Sequence, residues 1–382
     1  MTFEDEINSL NEYYFFKEFT YSDNKFKKPD GQEVEFADSI IFLDDLSFIF
    51  QIKERINPFN STAKKEKKWF KNKVIKKGTK QIRDTLSYIE DYPDASLVNN
   101  RGDAIDIPTS SLSSIHKIVV HKSDELLPDE CKNKKYHISQ TAGVIHIFQS
   151  HDYLGIVHFL ITPAELSEYL RFRSNLIDQY GEDINEISEP AILGQYLSGS
   201  EESEPSEEFI QHLALLDEDV ELWDMTGVIK RFPEKITRQE GASDYYCIVN
   251  EIAKLMRNEL AAFKDRFMRS WEAAKDDKSV LPYRFKSLRT GCAFLFLPLL
   301  HSEKGSRGDA LINLTLANRY DLQSDKALGV SFIADKHGWQ DVEWCFVEKT
   351  WQQDEEIDKL LEENYPFRPV SQQKIDRYKF EG

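Results

Sequence analysis

The stretch EVEFADSIIFLDDLSFIFQIKER, residues 33–55, decides how the N-terminal part of this chain folds. Two runs rich in β-branched and aromatic residues, Phe36–Phe42 and Leu46–Ile52, flank a short polar connection at Asp44–Leu46. Runs of this composition read as strands, and a gap this short reads as a tight hairpin. The centre is apolar enough to be buried on both faces, as in a covered sheet. In an antiparallel pair, Asp38 at the start of one strand comes back beside Gln51-Ile52-Lys53 near the end of the next. Side chains alternate with period two, so Gln51 and Lys53 share one face.

Working outward, residues Ile7, Leu10, Tyr14 and Phe15 keep helical spacing, which predicts a helix over Asp5–Phe19 with acids in its first turn. Beyond the hairpin, a Lys-rich helix passes Trp69, Val74 and Ile75 on its way to Ile82, Leu86 and Ile89, with Gly78 expected to break or kink it. Short buried strands are expected at Ile115–His121 and Val144–Phe148. Helix, hairpin, helix, strand, strand is the order of an α/β/α sandwich with a mixed sheet.

Further on, Thr162-Pro163-Ala164-Glu165 opens a helix with threonine at the N-cap, proline at N1 and glutamate placed to complete a capping box. GSEESEPSEE, residues 199–208, reads as an acidic linker. A long amphipathic helix is expected from Asp244 to about Ala274. Strands are then expected at Cys292–Leu297, Leu311–Leu316, Leu328–Ile333 and Val342–Val347, before a closing acidic helix over Asp354–Glu363. The expected organisation is residues 1–160 as one domain, 161–280 as a helical region, and 281–382 as a C-terminal α+β domain.

The chemistry follows from the convergence in the hairpin. Hydrolysis of a phosphodiester uses a hard cation held by oxygen ligands, which polarises the phosphate and acidifies a water. An ammonium beside the ion offsets charge that develops in the transition state. Asp38 is the expected main metal ligand, with the side-chain oxygen of Gln51 and the carbonyl of Ile52 beside it, and Lys53 is the expected catalytic ammonium. Composition adds a local signal: the 382 residues carry a net charge of −18, yet Lys53–Arg83 holds twelve basic residues against Glu54 and Glu66, with Asp84 just beyond. The acidic total argues against a protein that coats nucleic acid over its whole surface, and the asymmetry points to one local site for an anionic partner. Lys64, Lys65, Lys67, Lys68, Lys71, Lys73, Lys76, Lys77 and Lys80 are the candidate phosphate contacts, against the plainer reading of a solvated helix face.

Other chemistries find no support. The four cysteines are far apart, with no CxxC pair for a zinc site and no disulfide framework, so a reducing cytoplasm is the expected setting. The N-terminal MTFEDEINSL has no basic or apolar region of a secretory signal, and the longest apolar run, Ala293–Leu300, is too short to cross a membrane. No GxxxxGK[ST] loop is present, so any use of ATP falls to a partner.

The residues quoted resemble the PD-(D/E)XK nucleases, and among them the Mrr-like restriction endonuclease group, known for a Q-x-K form of the second half-motif. Ala37-Asp38 matches the first half and Gln51-Ile52-Lys53 the second. The resemblance covers residues 5–150, roughly. It implies a restriction-endonuclease-like fold, a Mg²⁺ cofactor for which Mn²⁺ substitutes, and endonuclease action with DNA as the expected substrate, in a bacterial defence or restriction-type system. It also implies an acid on the first helix, for which Glu12 is the match and Glu18 its competitor, and a glutamine on the helix after the lysine strand, matched by Gln81. Alanine replaces the usual proline, and Gln51 stands where an acid is common, which leaves the metal site one negative charge poorer. The alternative is therefore a catalytically inactive member that acts as a nucleic-acid-binding or adaptor subunit. Self-association and a partner ATPase or sensor subunit complete the expectations.

Overall fold

Thr2 begins the first helix, α1 (Phe3–Phe15): its side chain accepts from the Asp5 amide while the Asp5 carboxylate accepts from the Thr2 N–H, 2.7 Å away. The helix stops at Phe15 rather than Phe19, because Phe16 takes a left-handed φ of 67° at the C-cap. The computed structural model describes residues 1–382 apart from 29–30, 57–59, 93–94, 107–114, 215–223, 230–231, 233–244, 335–339 and 372–382. The chain is mixed α/β and divides into two compact units, the first within residues 1–217 and the second within 218–376.

The first unit is built on a six-stranded mixed sheet. After α1 come β1 (Thr20–Ser22), the two-stranded pair β2 (Lys25–Lys27) and β3 (Glu33–Glu35), then β4 (Ser39–Leu43) and β5 (Leu46–Glu54). The first hairpin strand thus starts at Ser39, later than expected, so Asp38 lies just ahead of the ladder. Leu43 pairs with Leu46 across the turn, and Asp44 adopts φ 55°, a left-handed conformation that aspartate tolerates.

Next comes one helical run: α2 (Ala63–Trp69), a π-helical segment Phe70–Lys77, and α3 (Gly78–Asp91). Gly78 does not break it. Its φ and ψ are right-handed helical, and a Cβ there would sit 3.2 Å from Cγ2 of Val119, so the missing side chain lets the helix lie close on the sheet.

The unit continues with β6 (Ser96–Val98), β7 (Ala104–Asp106), β8 (His116–Lys122), α4 (Asp129–Lys132), β9 (Tyr136–Ser139), β10 (Gly143–Gln149), α5 (Ser150–Phe159), α6 (Pro163–Tyr180) and α7 (Glu189–Leu197). Strand order in the sheet is β1-β4-β5-β8-β10-β9, with β5–β8 and β8–β10 parallel and the remaining pairs antiparallel. Helices cover both faces. Phe48 and Phe50 of β5 meet Phe15 of α1, and Phe50 meets Tyr153 of α5. On the opposite face Ile40, Ile49 and Val119 pack with Phe70, Val74 and Ile82 of the Lys-rich helical run.

The helix opened by Thr162 forms, with the Thr162 hydroxyl accepting from the Glu165 amide and Pro163 in the first turn, but the expected capping box does not close: the Glu165 carboxylate accepts from the Ile161 N–H at 3.0 Å instead of from Thr162. It belongs to the first unit, so the division falls near 217 and not at 160. The acidic stretch 199–208 is largely exposed and lies within the first unit, anchored at its end where the Glu207 carboxylate accepts from the Ser188 hydroxyl at 2.7 Å and from its N–H, at the N-cap of α7.

The second unit has a four-stranded sheet, β11 (Tyr283–Lys286), β12 (Cys292–Pro298), β13 (Lys326–Ala334) and β14 (Gln340–Glu348), in that order, with β12–β13 parallel and the outer pairs antiparallel. Three of its four expected strands lie where read. The fourth, Leu311–Leu316, is part of the helix Arg307–Asp321: Leu311, Thr315 and Asn318 are buried at helical spacing, and that period outweighs the local alternation in LINLTL. The long helix is two. Tyr246–Ala253 ends before Met256, which is extended and serves as N-cap to Arg257–Lys275, its N–H held by Glu259 at 2.9 Å. Asp244, its expected start, lies outside the described residues. The helix Glu355–Glu363 forms with Asp354 as its cap.

Candidate functional site

Parity sets the site. Asp38 continues the face of Ile40 and Phe42, while Gln51 and Lys53 continue that of Ile49. All three therefore point to the face covered by the Lys-rich helical run. Ser39 pairs with Phe50, which brings Asp38 level with Gln51.

The expected convergence is present in detail. The Lys53 ammonium donates to Asp38 Oδ2 at 2.9 Å, to Gln51 Oε1 at 3.0 Å and to the Ile52 carbonyl at 2.9 Å. Asp38 Oδ2 also accepts from the Ile52 N–H at 2.5 Å. Exposure is low: 10% for the Lys53 side chain, 8% for Asp38 and 1% for Gln51. Shielded from water, these charge-assisted bonds are stronger than surface ones. From α1, the Asn8 amide donates to the Asp38 carbonyl at 3.4 Å.

The acid expected on α1 is elsewhere. Glu12 accepts from Asn100 at 2.7 Å and pairs with Lys17 at 3.4 Å; its competitor Glu18 is buried against Arg101 at 3.0 Å. The Asp38 charge is instead felt by Glu4, two helical turns before Glu12, and by Glu35. Desolvation first, then the repulsion of Asp38, raises both carboxyls above the ordinary range, with Lys53 acting the other way. Neither was singled out in the sequence. Glu4 lies one turn before Asn8, whose amide reaches the Asp38 carbonyl, a contact that the helical spacing alone does not reveal. Glu35 lay inside the decisive stretch, three residues before Asp38.

Gln81 lies on α3 one turn before Thr85, whose hydroxyl donates to the Phe36 carbonyl. Its Oε1 is buried with no hydrogen-bond partner among the described residues. Lys64, Lys65, Lys68, Lys71, Lys73, Lys76, Lys77 and Lys80 are exposed along the run, although Lys65 binds the Asn60 carbonyl and Lys80 pairs with Asp84. Lys67 is half-buried and tied to Glu130. Phe70 is core, and Trp69 packs partly buried against it.

His121 neighbours the site: it stands in register with Lys53 across β5–β8. Desolvation, followed by the charge of His151, pushes it down to about 3. Among the described residues no group of three His, Cys, Asp or Glu side chains is placed to hold a metal ion. The oxygens that converge here come from one carboxylate, one amide and one peptide carbonyl. Comparison with protein-family models, curated proteins and solved structures gave no match to this chain.

Proposed function

We propose that this chain is a metal-dependent endonuclease of the PD-(D/E)XK type, hydrolysing phosphodiester bonds in DNA. The observation that supports it best is the meeting of Asp38, Gln51, the Ile52 carbonyl and Lys53 at one shielded point. The residues suit a hard cation, because three oxygens already surround a positive charge there, and oxygen donors are what Mg²⁺ or Mn²⁺ take. Asp38, Gln51 and the Ile52 carbonyl would hold the ion, which would supply polarisation of the phosphate and an acidified water. The ammonium of Lys53 offsets charge on the phosphate oxygens, and Ile52 N–H fixes the Asp38 carboxylate. Eight exposed lysines on the helical run over this face supply backbone contacts for a polyanion. The bacterial defence setting and a cytoplasmic location rest on the resemblance and on cysteine usage; target recognition or coupling to a partner subunit would fall to the second unit.

Plasmid DNA incubated with the purified chain and Mg²⁺ or Mn²⁺ tests this. Cleavage that disappears in a folded Lys53→Ala variant supports the hydrolase. One observation favours a second reading, a silent nucleic-acid binder: the converging oxygens carry only one formal charge, since Gln51 is neutral. Wild-type protein that shifts DNA in a gel with steep salt dependence but never cuts it would decide for that binder.

A further inference from the structure

A lysine ammonium has three donors and no acceptor. In this structure all three of Lys53's are used inside the protein, on Asp38 Oδ2, Gln51 Oε1 and the Ile52 carbonyl, at 2.9, 3.0 and 2.9 Å. None is left for a phosphate or an attacking water. The three acceptors are also the oxygens a divalent ion would need, so Lys53 and the ion want the same place. Two cations cannot share it: in a site this enclosed, like charges a few ångströms apart repel strongly. Asp38 has a further restraint, its bond from the Ile52 N–H, which keeps the carboxylate aimed at that place whichever cation fills it.

We propose that Lys53 is a built-in competitor for the divalent cation, and that its ammonium must leave the three oxygens before an ion can take them. This rests on the metal-dependent reading above and adds to it a regulated order: the departure that opens the oxygens also frees the Lys53 donors for the substrate's phosphate. The resting chain is thus locked by its own lysine. The lock also compensates Asp38 without an ion, so the hairpin needs no metal to be stable.

Two measurements on the full chain test this. Titration calorimetry with MnCl₂ compares wild type with Lys53→Met, which keeps the stem and removes the charge. The variant should bind Mn²⁺ about tenfold more tightly or better, a difference of about 1.4 kcal/mol, and adding Asp38→Asn should abolish that binding. Equal or weaker binding by Lys53→Met, with wild type still binding, overturns the competition and leaves the metal-dependent hydrolase standing. Absence of Mn²⁺ binding in both, at millimolar ion, overturns the two together. The second measurement uses wild type alone and so does not depend on the variant folding. Amine acetylation followed by mass spectrometry should label Lys53 far more slowly than exposed Lys71, and saturating Mn²⁺ should speed Lys53 at least several-fold while leaving Lys71 unchanged. A Lys53 rate that ignores Mn²⁺ overturns the proposal.

Discussion

Lys53 on β5 and His121 on β8 stand in register across a parallel strand pair, one a bonded cation and the other an imidazole whose two nitrogens are buried without a hydrogen-bond partner among the described residues. His121 lies edge-on to Phe70, 5.3 Å between ring centroids, in surroundings that pay nothing for protonation. Two more histidines of this sheet are likewise held below their usual range by burial, although each has a polar contact. His116, pushed down to about 3 by burial and then by Arg171 and Lys117, contacts the Ser167 hydroxyl at 2.9 Å; His146 is held well below its usual range by burial and by the Arg173 guanidinium on its Nδ1. Unfolded, each would take up a proton near pH 6.5. The unfolded state therefore binds more protons between about pH 6.5 and 3, and stability is lost as the pH falls through that window. Three histidines give a slope of about 4 kcal/mol per pH unit at most. Urea unfolding at pH 7.5 and 5.5 should show the loss, and His121→Leu should make the slope shallower by about one proton. An unchanged slope in that variant would remove His121 from the account.

The Asp38–Lys53 pair predicts an asymmetric response to mutation. Asp38→Ala strands the Ile52 N–H and takes one of three acceptors from a nearly buried ammonium, so it should cost about 3 kcal/mol. Lys53→Met leaves the carboxylate its Ile52 bond and should cost less. Because the two side chains act on each other, the Asp38→Ala/Lys53→Met double variant should be less destabilised than the sum of the singles by about 1–2 kcal/mol. Denaturant midpoints of the four proteins give the coupling, and strict additivity would mean that the pair contributes nothing to the fold.

Away from the site, Arg173 is fully buried and binds Glu189 through Nε at 2.9 Å and Nη2 at 3.1 Å, while donating to the carbonyls of Lys135 and Ile147 at 2.8 and 3.2 Å. It ties α6 and α7 to β10. Removing the carboxylate with Glu189→Ala would leave an uncompensated buried guanidinium, with an expected cost of about 3–5 kcal/mol. Thermal unfolding reads this directly; a loss under 1 kcal/mol would mean that water reaches Arg173 in the variant.

The hairpin was legible because local signals agreed in it: β-branched runs, a short connection at Asp44–Leu46, and parity that put Gln51 and Lys53 on one face. The acid on α1 was not, because several carboxylates crowd that helix and its periodicity alone does not say which end meets Asp38. That depends on Asn8 reaching the Asp38 carbonyl, a contact across 30 residues. LINLTL was misread as a strand for a related reason. It packs closely on Gly329, where a Cβ would come within 2.0 Å of Thr315 Oγ1, and nothing within the segment announces that partner. The break at Met256 was hidden by an apolar stripe that continues across two separate helices.

The last expectation concerns the lysine run. Lys71, Lys76 and Lys77 are exposed on the π-helical segment, and no ion pair involving them is found among the described residues, so each is available to a phosphate. If nucleic acid binds there, each lysine that neutralises a phosphate displaces condensed counterions, and the logarithm of affinity falls with that of salt by about 0.9 for every contact on duplex DNA. The triple variant Lys71→Glu/Lys76→Glu/Lys77→Glu should therefore lose affinity in fluorescence anisotropy and show a salt slope smaller by about 2 to 3. Its unfolding midpoint should stay close to wild type, because exposed side chains without partners contribute within about 0.5 kcal/mol. A weaker but equally salt-dependent complex would place the contacts on other lysines. An unchanged affinity would return this run to the role of a solvated helix face, and the hydrolase reading would then need another surface to hold its substrate.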